Sequence, residues 1–301
     1  MAIRVVRLGE PRAKNEGLRI GTVRRPPRGV PKSEYARMRG PHMGGEFPHP
    51  VKYGYAVVGQ FEAGPAELAG RMVFALHPHQ TKFDLPAEAV VPLPADIPLP
   101  RAVLAANVET ALNATWDAAP GPSGRIAVVG AGVVGALVGF LCGRIDGAEV
   151  TLIDIDPARE ALARSLGLTF ATPAAAPADC DFVFHCSASA EGLTTALNIA
   201  ADEATIVELS WYGAGTVAVP LGGAFHSRRL KILSSQVGKV APSRRAAFTH
   251  RQRLEAAIKL CAHPQLDVLL APAIAFGELP ARLADILKPR SGVLCQLISY
   301  S

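Results

Sequence analysis

The run Gly130-Ala131-Gly132-Val133-Val134-Gly135 limits what this chain can fold into more than any other stretch. It is a G-x-G-x-x-G sequence set between an apolar strand-like segment, Ile126 to Val129, and a helical one, Val133 to Ile145. Each glycine has a separate task in a strand-turn-helix crossover. Gly130 allows the tight turn, Gly132 lets the backbone approach a pyrophosphate, and Gly135 permits close packing of helix on strand, while Val133 and Val134 turn the helix N-terminus toward the anion. The context predicts a dinucleotide-binding Rossmann unit. From Ile126 to Gly143 no residue is charged over 18 positions, the length of a membrane span. Five glycines interrupt that stretch and an acid-ended strand follows it, so no membrane crossing is expected.

Asp154 closes Val150-Thr151-Leu152-Ile153-Asp154, 19 residues after Gly135. A carboxylate at that place accepts hydrogen bonds from the adenosine ribose hydroxyls and repels a 2′-phosphate, which favours NAD over NADP. The alternative is local, with Asp154, Asp156 and Pro157 starting the next segment as a cap. Arg159 pulls the other way, since a guanidinium there can pair with a 2′-phosphate.

Around this motif, apolar strands alternate with Ala-rich helical segments from Arg125 to Val240, the pattern of βαβ units in a parallel sheet. Strands are expected at Ile126–Val129, Val150–Ile153, Phe182–His185 and Thr205–Leu209, and helices at Val133–Ile145, Pro157–Leu166 and Glu191–Ala200. Before it, Tyr55–Phe61, Arg71–Leu76 and Thr81–Leu93 read as short strands broken by Gly and Pro, and Leu99–Ala119 as a connecting helix. Further helices are expected at Arg251–Cys261 and Leu279–Leu287, with a last apolar run at Val293–Ser299. The fold class is α/β: a Rossmann doubly wound parallel sheet plus a shortened, β-rich second domain. The expected division is 1–112 with 240–301 against 113–239.

Charge is uneven along the 301 residues: the first 40 hold 11 Lys/Arg against 3 Asp/Glu, leaving 20 against 23 for the rest. That basic opening has one aromatic, Tyr35, and no nucleic-acid module, so nucleic acid is not an expected partner. Cys142, Cys180, Cys186, Cys261 and Cys295 are too scattered for a zinc cluster, and their odd number, with no apolar signal segment, favours a reducing cytoplasm. From Leu209 to Leu254 there is no acid, whereas Arg228, Arg229, Lys231, Lys239, Arg244, Arg245, Arg251 and Arg253 are present. Such a stretch either attracts an anionic substrate or is a solvated basic face.

From about Pro31 onward the chain resembles the medium-chain dehydrogenase/reductase superfamily, and within it the alcohol-dehydrogenase-like branch that includes bacteriochlorophyllide a dehydrogenases. The resemblance rests on residues 50–59 (PVKYGYAVVG), on 70–74 (GRMVF), on the dinucleotide fingerprint and on 208–213 (ELSWYG). It implies a GroES-like catalytic domain, an active site between the domains, and cofactor contacts from Ser187, Ser210 and Gln236, the last within 234–238 (SSQVG). A homodimer is a further expectation of the resemblance. Zinc enzymes of the superfamily carry Gly-His-Glu where this chain has Gly54-Tyr55-Ala56, another ligand position falls on Ala106, and 74–94 contains no Cys. No catalytic zinc is therefore expected. His77-Pro78-His79 puts two imidazoles on one face of an extended backbone, but two ligands do not make a site.

Without zinc another group must move the proton that accompanies hydride transfer. Tyr55 is the first candidate, with Lys52 to lower its pKa, and His79 and Glu109 are the reserves; Tyr55 is equally readable as a core aromatic on a strand. The first 30 residues depart from the superfamily and resemble the opening of a small uncharacterised family through 17–32. The functional expectation is a zinc-independent, NAD(H)-linked oxidoreductase interconverting an alcohol and a carbonyl on an anionic or bulky small molecule. A metal-free enone reductase and a dinucleotide-sensing protein without chemistry are the alternatives.

Overall fold

The computed structural model describes residues 20–21, 54–213, 215–288 and 291–300. They fall into two compact units, divided after Ala106 and after Ala257. The first unit therefore takes the chain up to 106 and again from 258, and the second takes 107–257. Residues 1–30, apart from Ile20 and Gly21, lie outside the described residues, as does Lys52.

The first unit is built on a six-stranded sheet in the order β11-β12-β1-β2-β3-β4. Its members are β1 (Ile20–Gly21), β2 (Val57–Gln60), β3 (Met72–Ala75), β4 (Val91–Pro92), β11 (Leu270–Ala275) and β12 (Cys295–Ser299). All pairings are antiparallel except β11 with β12, and Val57 opposes Ala75 while Val58 opposes Phe74. Val57, Phe61, Val73 and Ala75 pack with Phe83, Leu85 and Val90 into one core. The long strand expected over Thr81–Leu93 is not formed. Pro86, Pro92 and Pro94 cannot donate to a ladder, so the segment reaches β4 through a 3-10 turn at Ala87–Ala89 and leaves only two residues paired. The helix expected over Leu99–Ala119 is broken into α1 (Leu99–Ala102) and α2 (Ala105–Ala118). Arg101 anchors α1 to the later part of this unit, with Nε 3.0 Å from Asp267 Oδ1 and the guanidinium donating to the carbonyl of Ala262. The unit closes with α7 (Leu279–Leu287), whose Leu279 and Ile286 pack with Ile298 and Tyr300.

The second unit holds the α/β fold expected from the alternating pattern. Its six strands, β5 (Arg125–Val129), β6 (Glu149–Ile153), β7 (Thr169–Ala171), β8 (Cys180–His185), β9 (Ala200–Glu208) and β10 (Lys231–Ser234), are ordered β10-β9-β8-β5-β6-β7 and all parallel. The order reverses at β5: the chain first winds outward to β7 and then returns to build on β5's other edge. Helices α3 (Val133–Cys142) and α5 (Ala190–Ile199) pack on the central strands, and α4 (Arg159–Ser165) packs on β7. Central strands are buried on both faces, so β5 reads Ile-Ala-Val-Val and shows no alternation. The 18-residue uncharged stretch is thus a strand, a turn and a helix, and no helix among the described residues is long and apolar enough to cross a membrane.

After β10 the chain runs through α6 (His250–Leu260), which returns Arg253 to the interior. Arg253 is 2% exposed. Its Nε lies 3.0 Å from Glu109 Oε1, and its remaining donors reach Asn113 Oδ1 at 2.6 Å and the carbonyls of Lys239 and Val237. Burial raises the pKa of Glu109 while the guanidinium opposes that rise. A guanidinium with four oxygen partners is the arrangement in which a buried charge is tolerated. Truncating Arg253 to Met should strand the Glu109 carboxyl and lower stability in urea unfolding by about 3–5 kcal/mol, whereas the Arg253→Met/Glu109→Leu pair should recover part of that loss.

Candidate functional site

At the C-terminal edge of the parallel sheet, the chain leaves β5 through the three glycines. Gly130 has φ +109°, and a Cβ there would stand 2.7 Å from the Ser187 backbone nitrogen and 2.8 Å from the Cys186 carbonyl carbon. A Cβ on Gly135 would stand 1.9 Å from the Gly130 carbonyl oxygen. These two positions exclude any side chain because backbone presses on backbone. Gly132 is different: it is exposed, and nothing lies within 4 Å of where its Cβ would be. It is also the N-cap of α3 and no side chain caps it, so the first amides of the helix, at partly buried Val133 and Val134, face the open space beside the turn.

Asp154, one residue beyond β6, braces that turn. Its Oδ2 accepts from the Ala131 amide at 2.7 Å and its Oδ1 from the Asp156 amide at 2.9 Å. Each carboxylate oxygen has further acceptor capacity. The carboxylate therefore ties the glycine turn to the end of β6. The capping idea is met in part, by Asp156, whose Oδ1 accepts from Ala158. Arg159, at the start of α4, has its Nε 3.8 Å from Asp156 Oδ2.

The ends of β8 and β9 carry a polar cluster in which Ser187 and Ser210 are expected from the sequence as cofactor contacts, whereas His185, Glu208 and Tyr212 are given no role by it. His185 is fully buried; its Nδ1 is 2.7 Å from Glu208 Oε2 and its Nε2 is 2.7 Å from Ser187 Oγ. Ser187 Oγ is in turn 3.0 Å from Ser189 Oγ, which caps α5 by accepting from Gly192. Glu208 Oε1 accepts from the Ser210 amide at 2.7 Å. Tyr212 places its hydroxyl 3.4 Å from both Glu208 Oε2 and His185 Nδ1. Burial, and next the Glu208 charge, push the Tyr212 phenol up to about 12. The available signal was the one that exposed Asp154: His185 and Glu208 are polar residues ending apolar strand runs, Phe182-Val183-Phe184 and Ile206-Val207.

Of the expected cofactor residues, Gly130, Gly132, Val133, Val134, Gly135 and Asp154 come together at one turn, and Ser187 adjoins it through its backbone. Ser210 lies with the His185 cluster, its Oγ accepting from the Ala188 amide at 3.1 Å. The Gln236 side chain folds back on its own turn, accepting from the Gly238 amide. In the first unit, Tyr55 is partly buried, and Gly54 before it packs so tightly on the 78–79 backbone that a Cβ would meet the His79 nitrogen at 2.2 Å. His79 Nδ1 hydrogen-bonds the Tyr300 hydroxyl, while His77 stacks on Phe83 with centroids 3.6 Å apart and bonds the Pro78 carbonyl through Nδ1. The two imidazoles thus have different Nδ1 partners, and no group of three or more His, Cys, Asp or Glu able to hold a metal occurs among the described residues. Glu109 belongs to the second unit and is engaged by Arg253.

The acid-free stretch proves less uniformly basic in space than in sequence. Arg228 lies 3.6 Å from Asp179, Arg229 3.4 Å from Glu203 and Arg251 2.7 Å from Glu255, while Arg253 is internal. All five cysteines are free thiols, and burial pushes Cys142, Cys261 and Cys295 up to about 12. They are neutral packing groups at ordinary pH.

Comparison with known proteins agrees with this architecture. The chain shares its fold with galactitol-1-phosphate dehydrogenase from Escherichia coli at 16% identity, TM-score 0.72, over 99% of both chains. It matches 2R,3R-butanediol dehydrogenase from Bacillus subtilis at 15% identity and TM-score 0.70, over 100% of this chain and 99% of that one. A short chain alcohol dehydrogenase from Escherichia coli CFT073, complexed with NADH, matches at 13% identity and TM-score 0.72, over 99% and 98%. The chain thus shares the fold of these dehydrogenases, a Rossmann-type parallel sheet with a second, GroES-like β-rich domain. Residues 3–42 match the model of the active DUF488-N3 subclade. No curated protein matches the chain.

Gly135 and Gly132 should separate cleanly on substitution. Gly135→Ala should lower stability in thermal or urea unfolding by about 3 kcal/mol or more, because the clash is with backbone. Gly132→Ala, in open space with φ −73°, should stay within about 1 kcal/mol of the parent.

Proposed function

We propose that the protein is an NAD(H)-linked oxidoreductase that interconverts an alcohol and a carbonyl without zinc. The observation that carries the proposal is the turn at Gly132: open space, unpaired helix-start amides and a carboxylate on the next strand, at the point where strand order reverses. Dinucleotides bind at such reversals, the pyrophosphate over the first turn and one half of the molecule to either side. Adenosine then lies toward β6 and Asp154, and nicotinamide over the ends of β8 and β9. The NADH carried by one protein of this fold, and the alcohol and polyol dehydrogenase names of others, support the same reading.

NAD is preferred to NADP because a carboxylate at the end of β6 would repel a 2′-phosphate, and the guanidinium of Arg159 is drawn to Asp156. The metal-free form of the reaction rests on donor chemistry: Tyr55 and Ala56 stand in the zinc-binding positions of the superfamily, and His77 and His79 are committed to Phe83, the Pro78 carbonyl and Tyr300. When bound, the dinucleotide supplies hydride transfer at its nicotinamide ring. The protein's share is to orient that ring and to move the alcohol proton. Tyr55, with His79 in reserve, is the candidate for that proton read from the sequence, and Tyr212, 3.4 Å from Glu208 Oε2, is the one that the second unit offers. Glu109 is a poorer one, since taking it from Arg253 would leave a buried guanidinium exposed to its own charge.

Titration by NADH fluorescence tests the cofactor assignment. NADH should bind at least about tenfold more tightly than NADPH, a difference of roughly 1.4 kcal/mol, and Asp154→Ala should remove the preference. Gly132→Val should abolish binding while preserving the fold. Tighter binding of NADPH to the parent would overturn the NAD assignment. In steady-state assays on secondary alcohols and enones, turnover of enones alone would replace the alcohol reaction by double-bond reduction.

A further inference from the structure

The Glu208–His185–Ser187 cluster has the connectivity of a hydrolytic triad, carboxylate to Nδ1 and Nε2 to a serine hydroxyl. Its surroundings argue against a nucleophile. The amide that would follow a nucleophilic Ser187, that of Ala188, is already donated to Ser210 Oγ. Ser187 Oγ also lies 2.0 Å from the place of a Cβ on Gly192, so the first turn of α5 covers it. What remains is a buried proton-conducting chain beside the dinucleotide turn.

One arrangement of hydrogens satisfies every member of the chain. Glu208 accepts from the Ser210 amide on Oε1 and from His185 Nδ1–H and the Tyr212 hydroxyl on Oε2. His185 Nε2 then accepts from Ser187, whose oxygen accepts from Ser189. Tyr212 at 3.4 Å is the loosest link, and catalytic hydrogen bonds of this kind commonly tighten when ligand binds. Its phenol, held protonated by burial and by Glu208, can pass a proton on but does not rest as a phenolate.

We propose that the His185–Glu208 pair is the proton store of the nicotinamide half of the site, exchanging the substrate's alcohol proton through Tyr212. The proposal rests on the dinucleotide reading above. In alcohol oxidation the C–H bond breaks and its hydrogen leaves with the electron pair to the nicotinamide ring, which loses its positive charge. The alcohol O–H bond breaks and its proton passes to the Tyr212 oxygen as the phenol's own proton passes to Glu208 Oε2. The pair therefore gains the unit of positive charge that the ring has lost, and the site's total charge is unchanged across the step. Reduction of a carbonyl runs the same movements backward, and Ser187 and Ser189, both partly exposed, connect Nε2 outward.

The titratable groups facing this store are Glu208 and Tyr212 from β9 and its following loop, and Cys186 from the β8–α5 turn. Burial, with Glu208 and Cys142 adding to it, pushes the Cys186 thiol far up and keeps it neutral. The unprotonated pair carries one net negative charge that attracts a positively charged nicotinamide ring, and protonation removes that attraction without affecting the neutral reduced ring, so the two cofactors should differ in pH dependence.

The test measures NADH affinity by fluorescence and NAD+ affinity by displacement of NADH from about pH 6 to about pH 9, the span in which an imidazole changes charge. In the parent protein NAD+ should gain roughly tenfold on NADH as pH rises, the size of one unit of mutual pKa coupling. His185→Gln should flatten the ratio, and Tyr212→Phe, which removes a conductor and not the store, should retain it. Calorimetry of NAD+ binding to the parent in two buffers of different ionisation enthalpy reads the same coupling as proton release, independently of whether the variants fold. A flat ratio in the parent with NADH bound normally would overturn the store, as would a ratio flattened by Tyr212→Phe or labelling of Ser187 by phenylmethylsulfonyl fluoride. Absence of NADH binding at every pH would instead sink the dinucleotide reading and the store with it.

Discussion

Three backbones meet at the end of β5. The turn after Val129, the first turn of α3 and the segment leaving β8 approach so closely that Gly130 and Gly135 have no space for a methyl group. Hydrogen bonds fix the same junction: Gly130 N donates to the Ile153 carbonyl and Cys186 N to the Val129 carbonyl. The proposed dinucleotide turn and proton store both lie at that meeting point. The exposed Gly132 amide turn, the Asp154 brace and the His185 cluster are successive layers around it, each positioned by a strand that ends there.

Polar groups near this edge are shared between structure and chemistry. Asp154 offers a place for a sugar and at the same time holds Ala131 and Asp156. Ser189 caps a helix and also extends the hydrogen-bond chain from His185. Such double duty explains how a short edge keeps several buried polar side chains without leaving donors unmatched. It also means that substitution effects there combine lost binding with lost rigidity.

The parallel sheet was legible in the sequence because its strands are short apolar runs at βαβ spacing, and the glycine turn because Gly130, Gly132 and Gly135 do different physical jobs at fixed intervals. Asp154 was legible for the same reason. Two edge strands were not. Thr169–Ala171 is only three residues long, and Lys231–Ser234 is exposed and follows a basic run, so neither has the double-sided burial that makes a central strand readable. In the first unit, prolines at 86, 92 and 94 hid how little of Thr81–Leu93 would pair, and Pro272 with the irregular register beside it obscured Leu270–Ala275. The His185–Glu208 contact joins residues 23 apart on neighbouring strands, and only the register His185 opposite Glu208 brings them side by side. The pairing of Arg228 and Arg229 in the basic stretch was not legible because their partners, Asp179, Asp202 and Glu203, come earlier in the chain.

The segment from Ser235 to Ala241 is held from two helices at every few residues. Ser235 donates to Asp117 and the Ala241 amide to Asn113, both on α2, while Arg253 of α6 grips the carbonyls of Val237 and Lys239 and is itself bonded to Glu109 and Asn113. With anchors on two helices that are tied to each other, this stretch cannot swing as a hinged flap, and any ligand that leans on it is met by a stiff wall.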